Sequence, residues 1–297
     1  MKSKIILVLA AAVVLQLTAS AQLKKRVAIS RFEDRSGTGW HGLGSGVADM
    51  LATALVKSGR FGVIERQELD KIVEEQKLGE SGLVTAQTAP KVGQLLGAEL
   101  FVIGAVTECG TKESNIGGGI SVFGGGLKTK KARCVVDIRL VNTTTGEIIA
   151  SEAEEGTEST TGIAVRYEDV DFNNQDSWDN TDIGKATREA VNKTVELIST
   201  NMEKIPWSGK ILKVNADGTV LMKPGSEGNV KPGMELFVVR KGEEIKDPDT
   251  GLSLGAEETK VGKIKTTEDM LNGKAMKAVV LEGKDFKTGD IVRDKEK

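Results

Sequence analysis

The chain has 297 residues, of which 28% are charged and 39% are hydrophobic, and its formal net charge at pH 7 is −2. This near-neutral balance lacks the excess of basic residues that nucleic-acid-binding proteins use, so we expect no nucleic-acid partner. The length indicates one large or two ordinary domains. Aromatic residues make up only 4% of the chain, so aliphatic side chains must supply most of the core.

The first residues have the pattern of a secretory signal peptide. Two lysines precede an apolar stretch at residues 5–17, and Ala19-Ser20-Ala21 is typical of a cleavage site. The apolar stretch is too short to span a bilayer comfortably. We therefore expect residues 1–21 to be removed, so that the mature chain begins at Gln22 beyond the inner membrane.

Residues 26–108 alternate between helical and strand-like patterns. The apolar residues Val47, Met50 and Leu51 recur at the spacing that lines one face of a helix. Residues 100–106 form a nearly unbroken apolar run, which is typical of a buried strand. This alternation indicates helices packed on a sheet. The predicted elements in chain order are a strand at 26–32, a polar loop at 33–45, a helix at 46–57, a strand at 61–65, helices at 66–77 and 88–96, and a strand at 99–108.

The next part of the chain completes this predicted sheet. The glycine-rich residues 117–126 are too flexible for a helix and have the length of a hairpin tip. Asp182 can cap a long helix that ends before Pro206. The predicted fold of residues 22–205 is an α/β domain, a mixed sheet with packed helices and β-hairpin extensions. Its further elements are strands at 134–142 and 147–153 and a helix at 182–204.

From residue 206 onward the pattern changes to short strand-like runs separated by turns such as Lys231-Pro232-Gly233. We predict a small all-β barrel over residues 206–297. Through Asp247-Pro248-Asp249-Thr250-Gly251 and the closing Gly289-Asp290, it resembles the C-terminal domain of FlgT-type flagellar assembly proteins. The predicted strands are 210–214, 219–222, 235–240, 261–265, 275–281 and 290–292.

Three motifs of the N-terminal domain occur in the order and spacing of a known family. They are the helix start Glu65-Arg66-Gln67, the strand entry at residues 95–104, and the hairpin Asn142-Thr143-Thr144-Thr145-Gly146-Glu147. With these motifs, most of residues 25–205 resembles the curli-secretion CsgG/HfaB family.

The resemblance implies a ring of identical chains in the outer membrane. In such a ring each chain inserts two β-hairpins, here equivalent to residues 108–134 and 149–170, and the loop at 33–45 lines the pore. Trp40 and His41 are then the candidate pore-loop residues. The candidate lipid-facing residues of the second hairpin are Ile163, Val165 and Tyr167.

Several residues depart from the family pattern. Gln22 stands where a lipoprotein needs a cysteine, so we expect no lipid anchor. The face of the second hairpin is polar in its middle and includes Glu155, whereas a lipid-facing strand alternates apolar residues. The loop at 33–45 lacks the family's constriction residues, and Trp40 is its only aromatic residue.

Two functional hypotheses therefore stand. The first is a component of an outer-membrane apparatus that secretes or assembles curli-like fibre subunits. The second is a soluble periplasmic accessory protein on the same scaffold, similar to FlgT or to activators of peptidoglycan synthases, that forms no pore. Both place the chain on the periplasmic side of the envelope, either in contact with the outer membrane or soluble. The expected partners are further copies of the chain and either fibre subunits or envelope assembly proteins.

Cys109 and Cys134 are the two cysteines of the chain, and they flank the glycine-rich tip almost symmetrically. If the strands on either side of the tip pair as antiparallel neighbours, the two sulfurs face each other. A structural disulfide and two separate buried thiols are both open at this point. Two cysteines and one histidine cannot complete a zinc shell without carboxylates, so we expect no metal site.

No residue pattern indicates catalysis. His41 is the single histidine and lies in a glycine-rich loop without a surrounding motif. The glycines at residues 42–46 lack the lysine and hydroxyl of a phosphate-binding loop and the spacing of a dinucleotide site. We therefore expect neither an enzyme activity nor a cofactor.

Overall fold

The computed structural model describes residues 22–64, 97–116, 127–162, 178, 180–246, 248 and 253–296. Within these ranges the chain forms a mixed six-stranded sheet with two helices, followed by a closed barrel of six antiparallel strands. The general fold predicted from the sequence is confirmed. The predicted helices at 66–77 and 88–96 and the hairpin tip at 117–126 lie outside the described residues.

The sheet joins a parallel part to an antiparallel part. Its strands are β1 (Lys25–Ile29), β2 (Glu33–Asp34), β3 (Phe61–Val63), β4 (Leu100–Ile116), β5 (Leu127–Asn142) and β6 (Ile148–Gly162). The order is β3-β1-β4-β5-β6, and β2 adds a short parallel pairing to β4. Strand β1 is parallel to β3 and β4, whereas β4, β5 and β6 run antiparallel to one another. These last three strands are longer than the strands at 99–108, 134–142 and 147–153 that apolar periodicity predicted, and they extend into the hairpin regions that the family resemblance implied.

Helix α1 (Leu43–Ser58) begins three residues before the predicted start at residue 46. Gly42 precedes it with φ 82°, a conformation that glycine adopts without strain. Gly44 lies so close to the backbone of Phe32 that an added Cβ would stand 2.2 Å from the Phe32 carbonyl oxygen. This contact anchors the first turn of the helix, which is why the polar loop at 33–45 is shorter than predicted.

Helix α2 (Asp182–Met202) is capped by Thr181. The sequence had suggested Asp182 as the cap, so that prediction is off by one residue. Thr181 has an extended backbone, and its Oγ1 accepts a hydrogen bond from the Gly184 amide at 2.9 Å. Asp182 is instead the first helical residue, and its Oδ1 accepts a hydrogen bond from Thr160 of β6 at 2.9 Å. The buried face of the helix packs on β5 and β6 and includes Ile183, Ala186, Ala190, Val191, Thr194, Ile198 and Met202.

The second half of the chain closes into a barrel in the order β10-β11-β8-β7-β12-β9. Its strands are β7 (Ser208–Val214), β8 (Val220–Lys223), β9 (Glu235–Lys246), β10 (Ser253–Met270), β11 (Ala275–Gly283) and β12 (Ile291–Arg293). Trp207 is buried in its core. Leu23, from the other end of the chain, packs in the same core, and the Lys24 amide donates a hydrogen bond to the Gly228 carbonyl at 3.0 Å.

A buried carboxylate connects the sheet to the barrel. Glu99 is only 4% exposed. Its Oε2 accepts a hydrogen bond from the Arg26 amide at 2.6 Å, and its Oε1 accepts hydrogen bonds from the amide and hydroxyl of Ser208. Burial raises the pKa of Glu99, although these hydrogen bonds oppose the rise. The start of β1, the entry to β4 and the first barrel strand therefore meet at one residue.

Candidate functional site

The long strands β4, β5 and β6 form the surface that the sequence assigned to function. One face of this surface is covered by helix α2. Gly156 of β6 lies against the helix so closely that an added Cβ would stand 1.8 Å from the carbonyl oxygen of Ala186. Its paired residue on β5 is Cys134, which is fully buried, as is Ala132 two residues away on the same face. This part of the hairpin is therefore packed against the chain's own helix.

The opposite face carries a row of ionised side chains, here named the charged triad: Glu108, Arg133 and Glu155. Arg133 lies between the two glutamates. Its Nε is 2.9 Å from Glu155 Oε1, its Nη2 donates to Glu155 Oε2 at 3.1 Å, and its Nη1 donates to Glu108. The hydrogen bonds from Arg133 lower the pKa of Glu155, so the glutamate is ionised at neutral pH. The three side chains are 40–59% exposed.

The free edge of β6 is closed by two side chains of helix α2, here named the edge clamp: Glu189 and Lys193. The Thr157 amide donates a hydrogen bond to Glu189 Oε2 at 2.8 Å, and Lys193 Nζ donates to the Glu155 carbonyl at 2.6 Å. The clamp residues also pair with each other at 2.9 Å, one helical turn apart. At Glu155 and Thr157, the backbone groups that a neighbouring strand would use are therefore occupied.

The predicted membrane-facing residues Ile163, Val165 and Tyr167 lie outside the described residues. The described part of the same β6 face, on which residues alternate along the strand, contains Glu155 of the charged triad and exposed Ser151, Ala153 and Ser159. Sequence reasoning identified this polar stretch. It missed the edge clamp, because Glu189 and Lys193 follow an ordinary helical spacing that is more often just a solvated helix face.

The predicted pore loop is an ordered segment in the described structure. Its backbone is held by side chains of alternate residues: the Ser36 amide bonds to Asp34 Oδ1, the Thr38 amide to Ser36 Oγ, and the Trp40 amide to Thr38 Oγ1. Trp40 packs edge-on against buried Trp178 with ring centroids 6.2 Å apart.

His41, by contrast, is exposed. The pore-loop role of Trp40 and His41 stays a prediction. The contact with Trp178 had no signal in the sequence, because 138 positions separate the two tryptophans.

Cys109 and Cys134 are paired partners in the register of β4 and β5, and both are buried free thiols. The disulfide itself stays a prediction. Among the residues that the structure describes, no group of three or more histidine, cysteine, aspartate or glutamate side chains is arranged to hold a metal ion. The expectation of no metal site likewise stays a prediction.

Comparison with known proteins assigns the chain to a family. The family model described as "Curli production assembly/transport component CsgG" matches residues 8–223. The chain belongs to the CsgG family. The match includes the whole sheet, helix α2 and the first two barrel strands.

Two curated relatives illustrate this membership. A protein of Neisseria meningitidis serogroup B, whose name marks it provisionally as a lipoprotein, is 30% identical over 183 residues, covering 58% of this chain and 75% of that protein. The curli production assembly/transport component CsgG of Escherichia coli K12 is 32% identical over 108 residues. That alignment covers 34% of this chain and 39% of the curli component, so it compares only parts of the two proteins.

Solved structures give weaker similarities. A hypothetical protein from Chlamydia trachomatis superposes with a TM-score of 0.39 and 15% identity, covering 60% of this chain and 97% of that one. The C-terminal domain of LpoB from Escherichia coli gives a TM-score of 0.32 and 16% identity, and the match covers 45% of this chain and 83% of that domain. Scores at this level support no conclusion about function. Throughout the described residues, no helix combines the length and the apolar character needed to cross a membrane.

Proposed function

We propose that this CsgG-family protein is a periplasmic accessory protein of cell-envelope assembly that forms no pore. The observation that carries the proposal is the charged triad together with the edge clamp. The triad lies on the stretch of β4 to β6 that a pore-forming relative would place in the outer membrane, and the clamp reaches from helix α2 to the backbone of that stretch.

The charged triad is unsuited to a lipid-facing surface. In a bilayer, the outward residues of a spanning strand form an apolar band, and charged residues near the midplane are destabilising. Here Arg133 and Glu155 share the face that the hairpin would turn to lipid, and helix α2 covers the other face through Ala132 and Gly156. This arrangement suits a sheet that is packed on one side and exposed to water on the other.

The edge clamp is unsuited to a barrel shared between copies of the chain. Within hydrocarbon, every backbone amide and carbonyl of a strand must be paired with another strand. The outward groups of Glu155 and Thr157 bond to side chains of the same chain instead. A soluble sheet uses such charged side chains to prevent edge-to-edge association. In this proposal the exposed triad face is available to a protein partner of the envelope.

The second candidate is a component of an outer-membrane apparatus that secretes curli-like fibre subunits. The specific observation in its favour is the alignment with a protein named as a curli production assembly/transport component. In this hypothesis a ring of copies surrounds a channel, the loop at 33–45 lines it, and Ile163, Val165 and Tyr167 meet lipid.

One substitution separates the two candidates. Val165→Arg at the bilayer midplane of a pore costs roughly 2–4 kcal/mol and blocks insertion, whereas on a solvated hairpin it costs well under about 1 kcal/mol. The matched control is Leu271→Arg, because Leu271 is a 61% exposed apolar residue of the barrel. We expect both variants to accumulate and fractionate like the natural protein. Loss of outer-membrane protein in Val165→Arg alone would favour the pore.

A further inference from the structure

A small cleft between the sheet and the barrel is lined by cationic side chains. Its volume is 130 Å³. It lies beside the buried carboxylate of Glu99, where β1 and the entry to β4 meet the first barrel strand. The polar residues that line it include Arg26, Thr143, Ser208, Lys210, Lys241 and Arg293.

Within the residues that the structure describes, Arg26 is held in the cleft without a hydrogen-bond or ion-pair partner for its guanidinium. Its side chain passes over Gly62 and Gly97. A Cβ added to Gly62 would stand 3.1 Å from Arg26 Cγ, and a Cβ added to Gly97 would stand 2.5 Å from Arg26 Nη2. Its Nε is buried without a hydrogen-bond acceptor. Among the described residues the guanidinium forms no hydrogen bond and no ion pair. The glycines therefore leave room for the flat face of the guanidinium, whose donors are unused by the described part of the chain.

Three lysines add to this positive charge. Lys210 of β7 lies directly opposite Lys223 of β8, a like-charge pairing that destabilises a sheet. Lys241 of β9 also lines the cleft and is half-buried. None of the three forms an ion pair within the described ranges. Burial lowers the pKa of Lys223, and the charges of Arg26 and Lys210 lower it further.

Across the described ranges, the carboxylates nearest the cleft do not balance this charge. The two oxygens of Glu99 are bonded to the Arg26 amide and to Ser208. Glu258 is 2.6 Å from Arg293 Nη2 and pairs with that residue. If Glu99 offsets Arg26 and Glu258 offsets Arg293, the positive charges of Lys210, Lys223 and Lys241 are still unmatched.

We propose that this cleft binds a phosphoryl group. Arg26 supplies a planar fork of donors that matches a phosphate oxygen pair, and Lys210 and Lys241 supply point charges on either side. A dianionic phosphate fits the cluster better than a single carboxylate, because one carboxylate would leave most of the cationic charge unmatched. The phosphoryl group can belong to a soluble phosphate ester or to a phospholipid headgroup. A site here does not depend on whether β6 meets a membrane.

The test uses the mature chain and inorganic phosphate. We expect phosphate, compared with chloride at equal ionic strength, to raise the thermal unfolding midpoint in a saturable way, because a ligand that binds only the folded state stabilises it. The double variant K210Q/K241Q should bind phosphate at least about tenfold more weakly. The matched control is Lys213→Gln, which removes an exposed lysine from the same strand outside the cleft lining and should leave phosphate binding unchanged.

Folding of the double variant is checked without phosphate. Its unfolding midpoint should equal or exceed that of the natural chain, because the Lys210–Lys223 repulsion is removed. Arg26→Lys keeps the charge but loses the planar fork, so we expect an intermediate loss of affinity.

Vesicles distinguish the two sources of the phosphoryl group. Co-flotation with phosphatidic acid vesicles, competed by phosphate and lost in K210Q/K241Q, would identify a lipid headgroup. Phosphate binding without flotation would identify a soluble ester. If the natural chain and K210Q/K241Q respond equally to phosphate in thermal unfolding, and float equally with the vesicles, the site does not exist.

Discussion

Cys109 lies directly opposite Cys134 across β4 and β5, and their Sγ atoms are 2.8 Å apart in the buried core beneath the helices. The Cys109 thiol donates to the Cys134 sulfur. This contact raises the pKa of Cys109 and lowers that of Cys134, while burial disfavours the thiolate form of both. The strand register and the sulfur contact therefore place the two cysteines where a bridge can form.

The first prediction is that these cysteines are joined by a disulfide in protein recovered from an oxidising compartment. A bridge that closes the loop between Cys109 and Cys134 stabilises the fold by about 3 kcal/mol. Reductant should therefore lower the free energy of unfolding of the natural chain, whereas the variant C109A/C134A should not respond to reductant. A count of two free thiols in oxidised protein would show that no bridge forms.

The second prediction concerns the packing of helix α2 on β6. Gly156→Ala should destabilise the fold by about 1–3 kcal/mol, because the added Cβ collides with the backbone of Ala186. Gly110→Ala is the control, since Gly110 lies on β4 of the same sheet and an added Cβ there has open space around it. Denaturant unfolding of both variants provides the measurement. Equal stabilities would mean that the helix does not cover this part of the hairpin.

The third prediction concerns the edge clamp. Removing both side chains in E189A/K193A frees the Thr157 amide and the Glu155 carbonyl for another chain, so self-association should increase. The unfolding midpoint should change little, because the clamp residues are close to half exposed. Sedimentation velocity over a range of concentrations measures the association. Asn192→Ala, at an exposed position on the same helix, should sediment like the natural chain.

The fourth prediction is a pH dependence in the barrel. The carboxylate of Asp290 is buried, which by itself raises its pKa. Hydrogen bonds from Arg240 and from the Lys287 amide outweigh burial, and the net pKa is lowered. A lowered pKa in the folded state gives stability that is present above the unfolded pKa of about 3.9 and is lost as pH falls through the folded value.

Asp290→Asn should therefore lower the free energy of unfolding by about 1–3 kcal/mol at neutral pH. It should also reduce the loss of stability that the natural chain shows as the pH falls. Asp285→Asn is the control, because Asp285 is exposed and accepts its hydrogen bond from Arg240 with the backbone carbonyl, which the substitution keeps. Unfolding measured between pH 2 and 7 tests both variants, with the range set around the unfolded pKa of a carboxylate. An unchanged loss of stability at low pH in Asp290→Asn would contradict the assignment.

The sequence predicted those parts of the fold that depend on apolar periodicity. The buried run at 100–106, the helix face with Ala186 and Ile198, and the six strands after residue 206 all have the spacing of their elements. Two of those six strands, β9 (Glu235–Lys246) and β10 (Ser253–Met270), are much longer than the predicted 235–240 and 261–265. The distal parts of β4, β5 and β6 were expected only as the β-hairpins that the family resemblance implies, because the residues beyond Cys109 carry no regular apolar alternation.

The candidate site was predicted only in part, because its key contacts are between distant positions. The residue pattern along 149–170 showed that the middle of the second hairpin is polar and includes Glu155. No local pattern indicated that Lys193 would reach the backbone carbonyl of Glu155, or that Arg26 would lie beside Lys210 of the barrel. Such contacts depend on how helix α2 and the barrel pack on the sheet, which side-chain spacing alone does not specify.

The most direct test of the proposed function is extraction of the natural full-length protein from cell envelopes. An accessory protein held by polar contacts should be released from isolated outer membranes by high salt or alkaline carbonate and remain in the supernatant after ultracentrifugation. Chains whose hairpins pair within the bilayer resist this treatment and require detergent. We predict release without detergent. Retention in the membrane pellet until detergent is added would contradict the accessory-protein function and favour the pore.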